Sequence, residues 1–313
     1  MRRVVYSAPA KVILSGEHAV VYGKPALVAA IGNRLSFRVE EGRGKKEPNI
    51  CRIEEIVLAY LRKKDVPVSE TSYKYRIGSD IPVGRGLGSS AALSVAASAA
   101  LYHFFSGMKP DLATVANMSY EAEKLFHARP SGADTSASAY GGLIYFRKEF
   151  EFLKTISSLN LKIPSSIENS LFLIDSGKPA ESTALMVERV GLLYNKKPKE
   201  TESTFQRIEK TTKRMVVSFA KEDASFFIDS IRDNQKELDA LGVVSPHARV
   251  LLEDLALYGR GKVTGAGGFG KGSGYILFYA YDAGKLQAIL EQKQIPHMPF
   301  KLSAEGVKEE PWE

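Results

Sequence analysis

The chain has 313 residues, 44% of them hydrophobic and 25% charged, with a formal net charge of +7 at pH 7. That length fits two domains of ordinary size, and so globular a composition excludes the disordered, collagen-like and coiled-coil classes. The single cysteine, Cys51, excludes an intrachain disulfide framework and a thiolate zinc cluster; with no run of about 18 apolar residues and no signal-peptide pattern in MRRVVYSAPAKVIL, the expected location is cytoplasmic, with no membrane partner.

The cations are scattered. Their densest clusters, Arg43 to Lys46 and Lys196 to Lys199, hold no interleaved aromatics, so no nucleic-acid partner is expected. The surplus reads either as solubilising surface or as attraction for small anions.

Residues 3–7 and 34–40 alternate apolar and polar as strands do, and residues 26–31 form a continuous apolar run that suits a buried strand. A charged loop, 41–49, leads to a helix at 50–64 with Ile53, Ile56, Val57, Tyr60 and Leu61 on one face. Residues 72–78 read as a strand, 82–88 as a glycine-rich turn, and 89–105 as a tightly packed, alanine-rich helix. A helix over 111–127, capped by Asp111, is followed by a Pro-Ser-Gly turn at 130–132, a short helix stopped by Gly141 and Gly142, and a strand at 143–147. Beyond residue 150 come a strand at 171–175 and helices near 181–194, 201–220, 223–239 and 246–257. A second glycine-rich loop at 265–274, a strand at 275–280, a helix near 283–293 and a strand near 298–303 complete an α+β pattern. The change of character places a domain boundary between segments 1–154 and 155–313.

Four segments are too dense in glycine and polar residues for ordinary core. In residues 9–27, PAKVILSGEHAVVYGKPAL, an apolar strand carries Lys11 near its start and Glu17 and His18 at its end. Lys11 alone also fits an edge-strand lysine, and His18 alone a hydrogen-bonded structural histidine. In residues 81–100, Gly84, Gly86 and Gly88 lead into Ser89 and Ser90 at a helix start. Glycines let the backbone approach an anion, the free N–H groups of a first helical turn point at it, and a serine hydroxyl there reaches a phosphate-bound Mg²⁺. No Gly-Lys-Ser/Thr follows these glycines, so the segment is not a Walker A loop. In residues 121–142, Glu123 ends one helix and Asp134 opens the next. Two carboxylates beside a phosphate loop point to one metal ligand and one base, although singly they fit a solvated helix face and a favourable helix N-terminal charge. Residues 263–274, VTGAGGFGKGSG, carry six glycines between 265 and 274 and suit the wall of a nucleotide site.

Four such motifs in this order resemble the GHMP kinases, and GEHAVVYG (16–23) with HARPSGAD (127–134) resembles their mevalonate kinase branch; GLGSSAA (86–92) and TGAGG (264–268) are shared more widely. The resemblance spans residues 8 to 280. It implies an N-terminal domain similar to the second domain of ribosomal protein S5, a ferredoxin-like C-terminal domain, and a cleft between them where ATP meets its acceptor. It implies ATP-dependent phosphorylation of mevalonate to 5-phosphomevalonate in isoprenoid biosynthesis, with Mg²⁺, and allows a homodimer.

In that light Asp134 is expected as general base and Lys11 as the cation beside it. Ser90 and Glu123 are expected to hold Mg²⁺, and Gly84, Arg85, Gly86, Leu87, Gly88, Ser89, Ser90 and Ala91 to bind the nucleotide. Glu17, His18, Thr183, Gly265 and Ala266 are expected around the acceptor. The chain departs from the family pattern at Phe269 and Lys271 in the last glycine run, and at Glu181, near a position where mammalian-type members carry arginine. The alternatives are another GHMP kinase, acting on phosphomevalonate or a sugar, and a catalytically silent nucleotide sensor; such sensors usually lose the base or the lysine, and both are present here.

Overall fold

The computed structural model describes residues 2–126, 131–150 and 153–312. Strand β1 (Arg3–Ser15) runs well past the alternating residues 3–7, because both of its faces are covered: all but Arg3 are buried. β2 (Ala26–Glu41) joins into one strand the two segments that the pattern separates. Where the pattern breaks, the pairing shifts from Pro9–Arg34 to Ala10–Ile31, leaving Gly32 and Asn33 as extra residues. A bulge at that point also accommodates Pro9, which has no N–H to give to a ladder.

Helix α1 (Pro48–Lys63), strand β3 (Tyr73–Ser79), helix α2 (Ser89–Ser106), helix α3 (Leu112–Glu123), helix α4 (Ala133–Tyr140) and strand β4 (Leu143–Phe150) follow much as the periodicity indicates. The Asp111 side chain caps α3 by accepting from Thr114 N. The helix ends at Glu123, short of the expected 127, and residue 127 itself lies outside the described residues. α2 has no polar face. Its alanines and serines let it lie directly on β1 and β2, and α1 and α3 pack outside it.

Strand β5 (Leu153–Leu159), helix α5 (Ser165–Glu168), strand β6 (Leu171–Asp175) and helices α6 (Thr183–Lys196), α7 (Pro198–Ala220), α8 (Ala224–Ala240) and α9 (Pro246–Asp254) come next. The chain continues through strands β7 (Gly259–Val263) and β8 (Tyr275–Ala280), helix α10 (Ala283–Gln292) and the short strands β9 (His297–Pro299) and β10 (Lys308–Glu309). The first sheet has the order β10-β1-β2-β4-β5 with β3 also on β2, and the second is β7-β8-β6-β9.

The sequence pattern misses β5, β7 and β10. β5 is largely exposed and mixed in polarity, β7 (GRGKV) carries two glycines and two cations, and β10 is two residues long. The expected boundary at 154/155 falls inside β5, which pairs with β4. The C-terminus returns to the first sheet, with β10 on β1 and Leu302 bridging Ile31. Among the described residues no helix is long and apolar enough to cross a membrane.

Candidate active site

Gly84, Gly86 and Gly88 all take the left-handed backbone conformation, with φ of 71°, 88° and 76°. This explains the glycines at alternate positions. The resulting loop ends at the start of α2, where the first intrahelical bond runs from Ala92 N to Gly88 O. The N–H groups of Ser89, Ser90 and Ala91 therefore stand at an open helix terminus. The loop rests on the second glycine-rich segment: Tyr275 N donates to Arg85 O at 3.2 Å, and a Cβ on Gly265 would lie 3.2 Å from the Cα of Gly86.

Lys11 is not on an open edge. Its N–H donates to Leu87 O at 3.0 Å, which ties β1 to the loop. Its side chain passes over Gly88, where a Cβ would stand 2.7 Å from Lys11 Cγ. The ammonium ends 2.9 Å from Asp134 Oδ2 in the first turn of α4; the lysine side chain is 3% exposed and the aspartate 32%, so the carboxylate faces the opening and the lysine supports it from within. Glu123 is buried, not on a solvated helix face. Ser90 Oγ donates to Glu123 Oε1 at 3.0 Å and Ser94 Oγ to Oε2 at 3.2 Å. The structure thus brings Lys11, Gly88, Ser90, Glu123 and Asp134 to one mouth, at the converging N-termini of α2 and α4.

The end of β1 is organised differently from the expectation. Glu17 does not present its carboxylate to an acceptor. It is fully buried, paired with the equally buried Lys262 of β7, and Asn234 Nδ2 of α8 donates to its Oε2 at 3.3 Å. Lys262 Nζ also donates to Ile13 O at 3.1 Å, and the Thr264 hydroxyl bonds both Ile13 N and Ile13 O. Ser15 Oγ reaches Thr212 of α7 and Asn234. Glu17 is therefore an anchor between the two sheets, and Lys262, Asn234 and Thr264 are site-supporting residues that sequence reasoning misses. The available signals were a lysine inside a strand that leads to a glycine loop, and a polar residue on a helix face turned inward.

His18 follows at φ 59° and its Nε2–H donates to Ala266 O at 3.0 Å, uniting two of the residues expected at the acceptor. Burial pushes its imidazole from 6.5 down to about 4, against the smaller opposing pull of the Ala266 carbonyl. His18 is thus neutral near pH 7. In the unfolded chain it binds a proton at pH 6.5, and in the folded protein only near pH 4, so stability present above 6.5 is lost as pH falls toward 4. We expect His18→Asn to remove a component of about 1.4 kcal/mol per pH unit in that window. Urea unfolding of both proteins from pH 7.5 to 5 reads it; parallel curves would mean that His18 does not titrate as its burial requires.

The Arg85 side chain is not free for a phosphate, because it pairs with Asp175 at the end of β6. Thr183 is exposed at the start of α6.

Residues 52–142 match the family described as GHMP kinases N terminal domain. A mevalonate kinase of Thermococcus sibiricus is 32% identical over 308 residues, covering 86% of this chain and 87% of its own length. The chain belongs to the mevalonate kinase family of GHMP kinases. A mevalonate kinase of Pyrococcus abyssi is 31% identical, with 98% of each chain covered. The crystal structure of Methanococcus jannaschii mevalonate kinase superposes with a TM-score of 0.78 over 96% of this chain and 98% of its own, at 23% identity, a likeness that speaks for the fold.

Within this mevalonate kinase family member two of the departures expected from the family pattern, Glu181 and Phe269, lie together. Glu181 Oε2 accepts Phe269 N–H at 3.4 Å, and the Arg189 guanidinium lies 4.3 Å from the Phe269 ring centroid. The phenyl ring is thus held against α6, and Lys271 is exposed. The loop keeps its contact with Gly86 despite the interrupted glycine run.

Proposed function

We propose that this chain is a mevalonate kinase, transferring the γ-phosphoryl group of ATP to the primary hydroxyl of mevalonate to give 5-phosphomevalonate and ADP. The observation that carries the reading is the Lys11–Asp134 pair, 2.9 Å apart and opening beside the glycine loop and the N-terminus of α2. Asp134 accepts the proton of the acceptor hydroxyl while the oxygen forms its bond to the γ-phosphorus. The bond from that phosphorus to the bridging oxygen breaks, and ADP leaves with the electron pair. Lys11 orients Asp134 and offsets negative charge on the reacting oxygens. The loop 84–88 and the N–H groups of Ser89, Ser90 and Ala91 hold the triphosphate. Phosphoryl transfer needs mainly this positioning and charge neutralisation. His18, Gly265, Ala266 and Thr183 border the acceptor, and Glu17 fixes the strand end that carries His18.

Ser90 and Glu123 supply a hydroxyl and a carboxylate side by side, the hard oxygen donors that Mg²⁺ prefers. No group of three metal-ligating side chains occurs among the described residues. A Mg²⁺ site completed by substrate phosphates needs only one or two protein carboxylates. When bound there, the ion neutralises charge on the phosphate oxygens. We expect Ser90→Ala to raise the Mg²⁺ concentration for half-maximal rate by about tenfold or more. Overlaid Mg²⁺ titrations would remove Ser90 from the metal site.

The test of the function is ADP release from ATP with mevalonate, phosphomevalonate, galactose and homoserine as parallel acceptors. Turnover with mevalonate alone is expected. Turnover with another acceptor alone would keep the kinase and replace its substrate; silence with all four would favour a nucleotide sensor. The same reading carries a cytoplasmic enzyme and a homodimer, the latter checked by light scattering of the purified chain.

A further inference from the structure

The loop after β6 crosses from the second sheet to the mouth of the phosphate loop, and its backbone is pinned on the way. Gly177 N donates to Asp175 Oδ1 at 2.8 Å, Gly274 N donates to Gly177 O at 2.9 Å, and Ser176 N donates to Gly274 O at 2.9 Å. Asp175 itself holds Arg85 of the phosphate loop. The next residue along, Lys178, lays its side chain over Gly84: a Cβ built on that glycine would stand 3.0 Å from Lys178 Cε and 3.6 Å from Nζ. Gly84 leaves open the space that the lysine occupies.

The charge balance around the loop gives this lysine its meaning. Arg85, the cation within the loop, is taken by Asp175, and Lys11 is taken by Asp134. Lys178 is exposed, and among the described residues it has no carboxylate within ion-pair distance. A nucleoside triphosphate brings several negative charges to this spot, where an ammonium without an acid partner attracts them more strongly than a paired one. Nothing in the sequence singles Lys178 out, since it lies outside all four glycine-rich segments.

We propose that Lys178 is a nucleotide-binding residue, holding the polyphosphate chain from the C-terminal side of the cleft while the glycine loop and the start of α2 hold it from the N-terminal side. The proposal rests on the kinase reading and extends it. Because the loop that carries Lys178 is fixed to Gly274 and Asp175, the contact also joins the two sheets across the bound nucleotide.

The test is calorimetric binding of ATP and of adenosine to the full-length protein, without acceptor, for wild type, Lys178→Gln and Lys178→Arg. We expect Lys178→Gln to weaken ATP roughly tenfold or more, to leave adenosine within about twofold, and to flatten the salt dependence of ATP affinity; Lys178→Arg should retain most of the ATP affinity. Equal ATP affinity in wild type and Lys178→Gln, or equal losses for ATP and adenosine, would overturn the assignment and leave the kinase reading standing. A raised KM for the acceptor with unchanged ATP affinity would also overturn it, by moving Lys178 to the other substrate. Failure of wild type to bind ATP at all would remove both readings. As Lys178 is an exposed loop residue, its substitution is not expected to unfold the protein.

Discussion

Asp134→Asn leaves a folded protein whose kcat is lower by about 10²–10⁴-fold, the usual worth of a positioned general base. The amide keeps the size of the side chain, and its oxygen still accepts from Lys11 Nζ, so the contact at 2.9 Å survives in a weaker form. The Lys11 side chain is only 3% exposed, so exchanging its charged partner for an amide leaves a buried ammonium less compensated and costs some stability, limited by the hydrogen bond that remains. What disappears is an acceptor basic enough to take the hydroxyl proton as the phosphorus–oxygen bond forms. ATP affinity should change little, because the groups assigned to the triphosphate are the 84–88 loop and the helix N–H groups. Turnover, circular dichroism and ATP titration on one preparation separate these effects. Near-normal turnover in the folded variant would remove Asp134 from the role of base.

Lys262→Met destabilises the protein by about 3–5 kcal/mol, the effect of stripping one partner from a buried ion pair. Both side chains are 0% exposed, so no water replaces the lost ammonium. The Glu17 carboxylate is left with Asn234, and Ile13 O keeps only the Thr264 hydroxyl. Burial lowers the Lys262 pKa and the Glu17 carboxylate opposes that shift, the balance of desolvation against pairing that makes such a lysine dependent on its partner. Because these groups tie β1 to α8 and β7, weakening them also loosens His18 on Ala266 and the contact between the two glycine loops. Urea denaturation measures the loss. Adding Glu17→Gln to Lys262→Met should restore a good part of it, since the stranded charge is then gone; a double variant no more stable than the single one would show that the charge was not the cause.

Several features were legible in the sequence because they are local. The glycine-rich turn expected at 82–88 ahead of a helix start is present, and the structure adds that Gly84, Gly86 and Gly88 are left-handed there, a backbone few other residues adopt without strain. The alanine-rich run 89–105 announced a helix without a polar face, and α2 is one. Asp111 was recognised as a cap because its bond is to a backbone N–H three residues away. The four separated motifs point to one family by sequence alone, and the relatives at 31–32% identity bear it out.

Tertiary structure decided what those residues face. Glu17 stands between apolar runs as an acceptor-binding residue would, yet Lys262 and Asn234, 245 and 217 positions away, take up its carboxylate. Arg85 lies in the phosphate loop but pairs with Asp175, 90 positions on. Lys178, which carries no motif, reaches Gly84 only because β6 ends beside the loop. Glu123 gives no sign in a helical pattern of whether it meets water or Ser90. Backbone conformation and capping depend on neighbours within a turn, and the sequence by itself determined those. The partner of a charge depends on which chain segments packing brings together, and only the fold decides that.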